Sequence, residues 1–172
     1  MNIYLKLTLL VVAMGLFNTS SADELTFINA QNAKDNNNYK QAVLLFTEAA
    51  EQGYLDANYL LALMYLEGDG VKQDYNQAFY WFTKSAEQGH TTSQINLAVM
   101  YSNGTGVPES HERAAYWYKK AAHLGHVEAQ FSLAERYRLG FGVQQSNKRA
   151  FWWYIQAAGR GSVKAEKMLE RF

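Results

Sequence analysis

No cysteine occurs among the 172 residues, which excludes disulfide frameworks, thiolate metal sites and a cysteine nucleophile together. Charge of one sign is not in excess either: 16 Lys and Arg stand against 16 Asp and Glu, with no block of like charge. Electrostatic capture of nucleic acid or of an anionic lipid surface therefore has no footprint. The apolar run near the amino end, residues 7–17, has only 11 residues, short of the roughly 20 that a membrane-spanning helix needs. Catalytic signatures are absent as well. There is no Gly-x-Ser-x-Gly nucleophile turn, no Gly-Lys-Ser/Thr behind a glycine loop, and no carboxylate set completing the few histidines. Stability has to come from packing, and 48% hydrophobic residues against 19% charged are enough for a compact domain.

The first 22 residues read as an export leader. Lys6 supplies a small positive start, residues 7–17 an apolar stretch, and Ser20, Ser21 and Ala22 small side chains at a cleavage point. Cleavage after Ala22 gives a periplasmic or secreted chain starting at Asp23, with 15 basic and 16 acidic groups. Without cysteine there is no lipid attachment, so no stable membrane anchor is expected after cleavage.

What the chain has in abundance is self-similarity. Gly53, Gly89, Gly125 and Gly161 stand 36 residues apart, and between them recur Leu61, Leu97 and Leu133; Tyr65, Tyr101 and Tyr137; Gly68, Gly104 and Gly140; Gly70, Gly106 and Gly142; Ala78, Ala114 and Ala150; Trp81, Trp117 and Trp153. A period of this length marks units that cannot bury their apolar faces alone and must stack. Each unit divides into two helices. Glycines at the first helix end allow positive φ, and Asn38, Asp74, Ser110 and Ser146 form one column of capping side chains ahead of the second helices. The register predicts an opening repeat over 23–54, full repeats over 55–90, 91–126 and 127–162, and a capping helix over 163–172, nine helices beyond the leader.

The pattern Ala57, Leu61, Tyr65, Gly68, Gly70, Val71, Asp74, Ala78, Trp81, Lys84, Ala86 and Gly89 resembles the Sel-one-like repeat, a relative of the tetratricopeptide repeat. The resemblance implies an all-α fold, a right-handed α-solenoid of stacked antiparallel helix pairs, working as an adaptor; many bacterial relatives are secreted or periplasmic. Some secreted relatives are cysteine-rich and linked to penicillin binding or hydrolysis. This chain departs from them in having no cysteine, which removes the support for a β-lactam activity.

The remaining motifs favour structure over chemistry. Gly68-Asp69-Gly70 and its two counterparts read as turns, because no strand precedes them. His123 and His126, with His90 in the latter's column, lack a third ligand, and no metal or cofactor is expected. No residue is assigned a catalytic role. Trp81, Trp117 and Trp153 share a helical face with Ala78 and Ser85 and their counterparts, which places them in the core. Tyr80, Tyr116 and Trp152 point away from that seam; contact with a neighbouring unit is expected, a second interaction face being the alternative. On the first helices, Phe27, Tyr59, Leu63, Ile95, Val99 and Phe131 fall opposite the inward stripe of Leu61 and Tyr65 and their counterparts. This column predicts a concave groove for a protein or peptide partner. A cell-wall or β-lactam enzyme and a secreted host-interaction factor are the competing readings.

Overall fold

The computed structural model describes residues 24–171, and every regular element among them is a helix. The expected leader, 1–22, lies outside the described residues. Two compact units divide the chain, Met1–Gln73 and Asp74–Phe172. The first contains α1 (24–35), α2 (Tyr39–Glu51) and α3 (Leu55–Glu67); the second contains α4 (Tyr75–Glu87), α5 (Thr91–Asn103), α6 (His111–His123), α7 (Val127–Leu139), α8 (Asn147–Ala158) and α9 (Val163–Leu169). In the first unit α2 packs on α3, and in the second each helix from α4 to α8 packs on the one after it.

In the first unit, small residues let the helices approach. Ala30, Ala42, Ala49, Ala57 and Ala62 are completely buried around Phe46 and Leu61. The turn between α1 and α2 corrects one expectation: Asn38 makes no side-chain cap bond. Here the interhelical turn is only three residues long, so Asn38 is already used in ending α1. Its backbone N–H donates to the Ala33 carbonyl at 2.8 Å, while Asn37 takes the left-handed conformation at φ 60°. Asparagine tolerates that conformation because its short polar side chain bonds locally, and the Tyr39 hydroxyl donates to Asn37 Oδ1 at 2.9 Å.

In the second unit the caps form as expected. The Asp74 carboxylate accepts from the backbone N–H groups of Asn76 and Gln77 at 2.9 and 3.1 Å, and the Ser110 and Ser146 hydroxyls accept from Arg113 and Arg149, both at 3.3 Å. Each bond satisfies a donor the helix would otherwise leave open. At the far end of α4, the Gly89 N–H reaches the Ala86 carbonyl and the His90 N–H the Ser85 carbonyl, both at 3.1 Å. That paired closure needs positive φ at the glycine, and Gly89 has φ 100°. His90, half-buried, then caps α5, its ring nitrogen accepting from the Ser93 N–H at 3.1 Å. Trp81, Trp117 and Trp153 are buried, as are Ala78, Ala114 and Ala150 of the same helices, as the 36-residue columns imply.

The second glycine of each Gly-x-Gly does more than turn the chain. A Cβ on Gly106 would overlap the backbone of Tyr75, and one on Gly142 that of His111. Both targets are first residues of second helices, α4 and α6. A bare backbone is thus required where the loop of one repeat lies on the helix start of the repeat before it. Within the first unit Gly70 meets Tyr39, the first residue of α2, in the same way.

Trp117→Ala is expected to lower unfolding stability by about 3–5 kcal/mol, measured by urea denaturation followed by circular dichroism. Gly89→Ala meets no atom within 4 Å and should cost about 1–2 kcal/mol, the left-handed strain alone. Gly106→Ala carries the same strain plus the overlap with Tyr75, and its loss should clearly exceed that of Gly89→Ala; equal losses would show that the close approach does not constrain the repeat.

Candidate functional site

The sequence-predicted groove residues occupy unequal environments. In the first unit, Phe27 is half-buried, its ring 5.5 Å from that of Tyr54 in a stacked pair and 5.9 Å from that of Phe46. Tyr59 and Leu63 are half-buried as well. Burial pushes the Tyr59 hydroxyl above its ordinary pKa, and the Glu67 carboxylate adds to the shift.

In the second unit, Val99 is 40% exposed, Phe131 is half-buried and Ile95 is only 9% exposed. Ile95 therefore belongs to the core instead of an open strip. The reason lies in the packing of α5, which lies against both α4 and α6; from α7, Arg136 donates through Nη2 to the Ser102 hydroxyl of α5.

Phe131 and Ser132 line two adjoining clefts. The smaller, about 220 Å³, is walled by Tyr118 of α6, by Phe131, Ser132, Glu135, Arg136 and Leu139 of α7, and by Phe141 of the following loop. Phe141 stacks on His111, ring centroids 5.2 Å apart. The larger cleft, about 600 Å³, runs from His126, Val127 and Glu128 to Ser162, Val163 and Lys164.

Two charged groups stand in the smaller cleft's wall under different conditions. Glu135 accepts from Nε and Nη2 of Arg138, at 3.1 and 2.6 Å, and from the Tyr154 hydroxyl. Burial raises its pKa, but the hydrogen bonds from Arg138 and Tyr154 outweigh that and leave it lowered. The Tyr154 hydroxyl is held well above its usual range, first by burial and then by Glu135. Arg136 has no such counter-charge. It is 9% exposed, its Nη1 is buried without a hydrogen-bond partner, and its guanidinium carbon lies 4.8 Å from the Tyr118 ring centroid. Among the described residues no carboxylate lies within ion-pair distance of it. Burial lowers its pKa, with partial relief from Tyr118.

A second surface follows the other helices of the unit. Tyr80, Tyr116 and Trp152 are about half exposed, each edge-on to the buried tryptophan beside it. The Lys84 and Lys120 ammonium groups lie over both rings of the first two pairs, at 4.8 to 5.2 Å. A cleft of about 500 Å³ opens beside Tyr116, Lys120, His123 and Leu124. About half of each side chain is exposed, and Tyr116 shares the cleft with Ala86, Glu87 and Gly89 at the end of the preceding repeat.

His123 Nδ1 lies 2.7 Å from the Lys119 carbonyl, and His126 precedes α7 as its cap residue. Among the described residues no three His, Asp or Glu side chains converge as a ligand set.

Column reading missed the Arg136, Tyr118 and Ser102 group. The available signal was a mismatch: Arg136 stands in the column of Met64 and Met100. It also missed Gln94 and Gln130, 36 residues apart, whose buried amides donate to the Ala86 and Ala122 carbonyls at 3.2 and 3.1 Å. These bonds tie the last turn of each second helix to the next first helix.

The Sel1 repeat family model matches residues 35–54, which hold α2, and 55–90, 91–126 and 127–162, which hold two helices each. The chain belongs to the Sel1 repeat family. Among solved structures, a protective antigen of uropathogenic Escherichia coli with an SLR fold is 34% identical, with a TM-score of 0.79 over 88% of this chain and 34% of that one. A Sel1 repeat protein from Oxalobacter formigenes is 30% identical, with a TM-score of 0.77 over 83% of this chain and 59% of its own. Cysteine rich protein B of Helicobacter pylori is 25% identical, with a TM-score of 0.59 over 76% of this chain and 96% of that one. The Sel1 chain thus spans about a third of the first relative and 59% of the second. No curated protein matches it.

Because the Glu135 carboxyl is lowered on folding, its contribution is fully present above the ordinary carboxylate range and is lost as pH falls through the lowered value. Glu135→Gln is expected to cost about 1–2 kcal/mol at pH 7. The gap from the parent protein should close on acidification, measured by urea melts across pH. A gap independent of pH would show that the carboxylate charge is not what Arg138 and Tyr154 hold.

Proposed function

We propose that this Sel1 repeat protein is a cell-envelope scaffold that binds a peptide segment of a protein partner along its first-helix face, without catalysis. The observation that carries the reading is the position of Phe131 and Ser132 as the common wall of two adjoining clefts. Val99, exposed on α5, adds apolar surface in the same predicted column. Apolar side chains around convergent polar groups are what a peptide site needs: the former give affinity, the latter fix direction. Phe27, Tyr59 and Leu63 carry the corresponding column in the first unit, with Ile95 supporting the surface from the core. Envelope placement rests on the leader-like composition of residues 1–22. No described helix is long and apolar enough to cross a membrane.

A photo-crosslinking residue placed at Val99 in the producing cell is expected to yield a discrete protein adduct, and one at Tyr116 on the other surface is not. Val99→Ser should abolish capture by a crosslinker at Phe131 while changing stability by no more than about 0.5 kcal/mol, the usual range for exposed positions. Adducts at Tyr116 with none at Val99 would move the binding surface to the second helices.

A further inference from the structure

The three full repeats differ most sharply at one buried position. Met64 and Met100 are 1% and 4% exposed, and the third repeat places Arg136 in that column, 9% exposed. A methionine there needs no partner. A buried guanidinium is costly unless opposite charge and hydrogen bonds meet it, and Arg136 meets no opposite charge, only the Ser102 hydroxyl and Tyr118, through its ring face and a side-chain hydrogen bond. Its Nη1 stays unpaired. Glu135, in the same wall, is occupied by Arg138 and Tyr154 and is turned to their service.

We infer that Arg136 is the anchor for a carboxylate, the free carboxyl end of a bound peptide whose last side chain sits against Phe131, Leu139 and Phe141. The inference rests on the first-helix face being the binding surface and names what that surface recognises. A guanidinium presents planar paired donors that match a carboxylate, with a directionality an ammonium lacks. The size of the cleft selects the chain end: at about 220 Å³ it falls below the roughly 300–1,000 Å³ of a pocket for a drug-sized ligand and suits one terminal residue. The adjoining cleft of about 600 Å³, reached past Phe131 and Ser132, accommodates the residues before it. The charge is also complementary, since the site offers one unpaired cation and the ligand one terminal anion.

The test uses three peptides, acetyl-Ala-Ala-Phe with a free carboxyl end, the same peptide amidated, and amidated acetyl-Ala-Glu-Phe, titrated into the full chain with the arginine side-chain NMR signals followed. The free acid should shift the Arg136 signal saturably, and both amides should bind at least tenfold more weakly. Arg136→Met should also weaken the free acid at least tenfold, while melting at or above the parent temperature, because methionine fills this column in the other repeats. Arg136→Lys should restore only part of the affinity. Equal binding of acid and simple amide at Val99 and Phe131 would overturn the carboxylate assignment and leave the surface standing. Tight binding of the amidated glutamate peptide would overturn the assignment to a chain end. A melting temperature of Arg136→Met well below the parent would show that Arg136 is kept for its bonds to Ser102 and Tyr118, and the inference would fall. Absence of binding by all three peptides would also refute it; the Val99 crosslink decides the surface itself.

Discussion

Backbone lying directly on backbone is the constraint from which the repeat follows. Where Gly106 meets Tyr75 and Gly142 meets His111, no side chain separates a loop from the helix start of the preceding repeat. Such contact fixes distance more tightly than side-chain packing does, because rotamers can adjust and a peptide plane cannot. With the loop fixed, the cap residue beside it takes a defined position: the Ser110 and Ser146 N–H groups donate to the Tyr101 and Tyr137 carbonyls, both at 2.8 Å. The second helix then starts where it can bury its tryptophan and its alanines. One contact thus propagates into register, capping and core.

The polar groups inside the second unit obey the same economy. Ser93 donates to Ser85 at 2.8 Å, and Gln94 and Gln130 reach carbonyls at the ends of second helices, so buried polarity mostly closes backbone positions that helices leave open. Arg136 is different in kind. Its side chain serves no helix end, and it bridges two first helices through Ser102 with a donor to spare. The contrast between those two uses of buried polarity separates scaffold from site more sharply than apolar exposure does, since Val99 is open and Ile95, in the same predicted column, is closed.

How much could be read from the chain varies with how each residue earns its place. Gly106, Asp74, Ser110 and Trp117 act locally or through a partner at fixed sequence distance, so a 36-residue column exposes them. Asn38 misled because its turn is shorter, and one residue cannot both finish α1 and cap α2. Ile95 read as open and is buried, because how the neighbouring helices α4 and α6 cover α5 depends on tertiary packing that helical periodicity does not contain. Arg136 went unread because agreement between columns was taken as the signal, whereas the site is marked by disagreement.

The placement of the tryptophans has an optical consequence. All four, Trp81, Trp117, Trp152 and Trp153, belong to the unit Asp74–Phe172, and the other unit has none. Indole emission therefore follows the melting of one unit alone, whereas far-ultraviolet dichroism sees helices of both. Any offset between the two transitions in the parent chain would measure directly how far folding cooperativity extends across the boundary at residues 73 and 74.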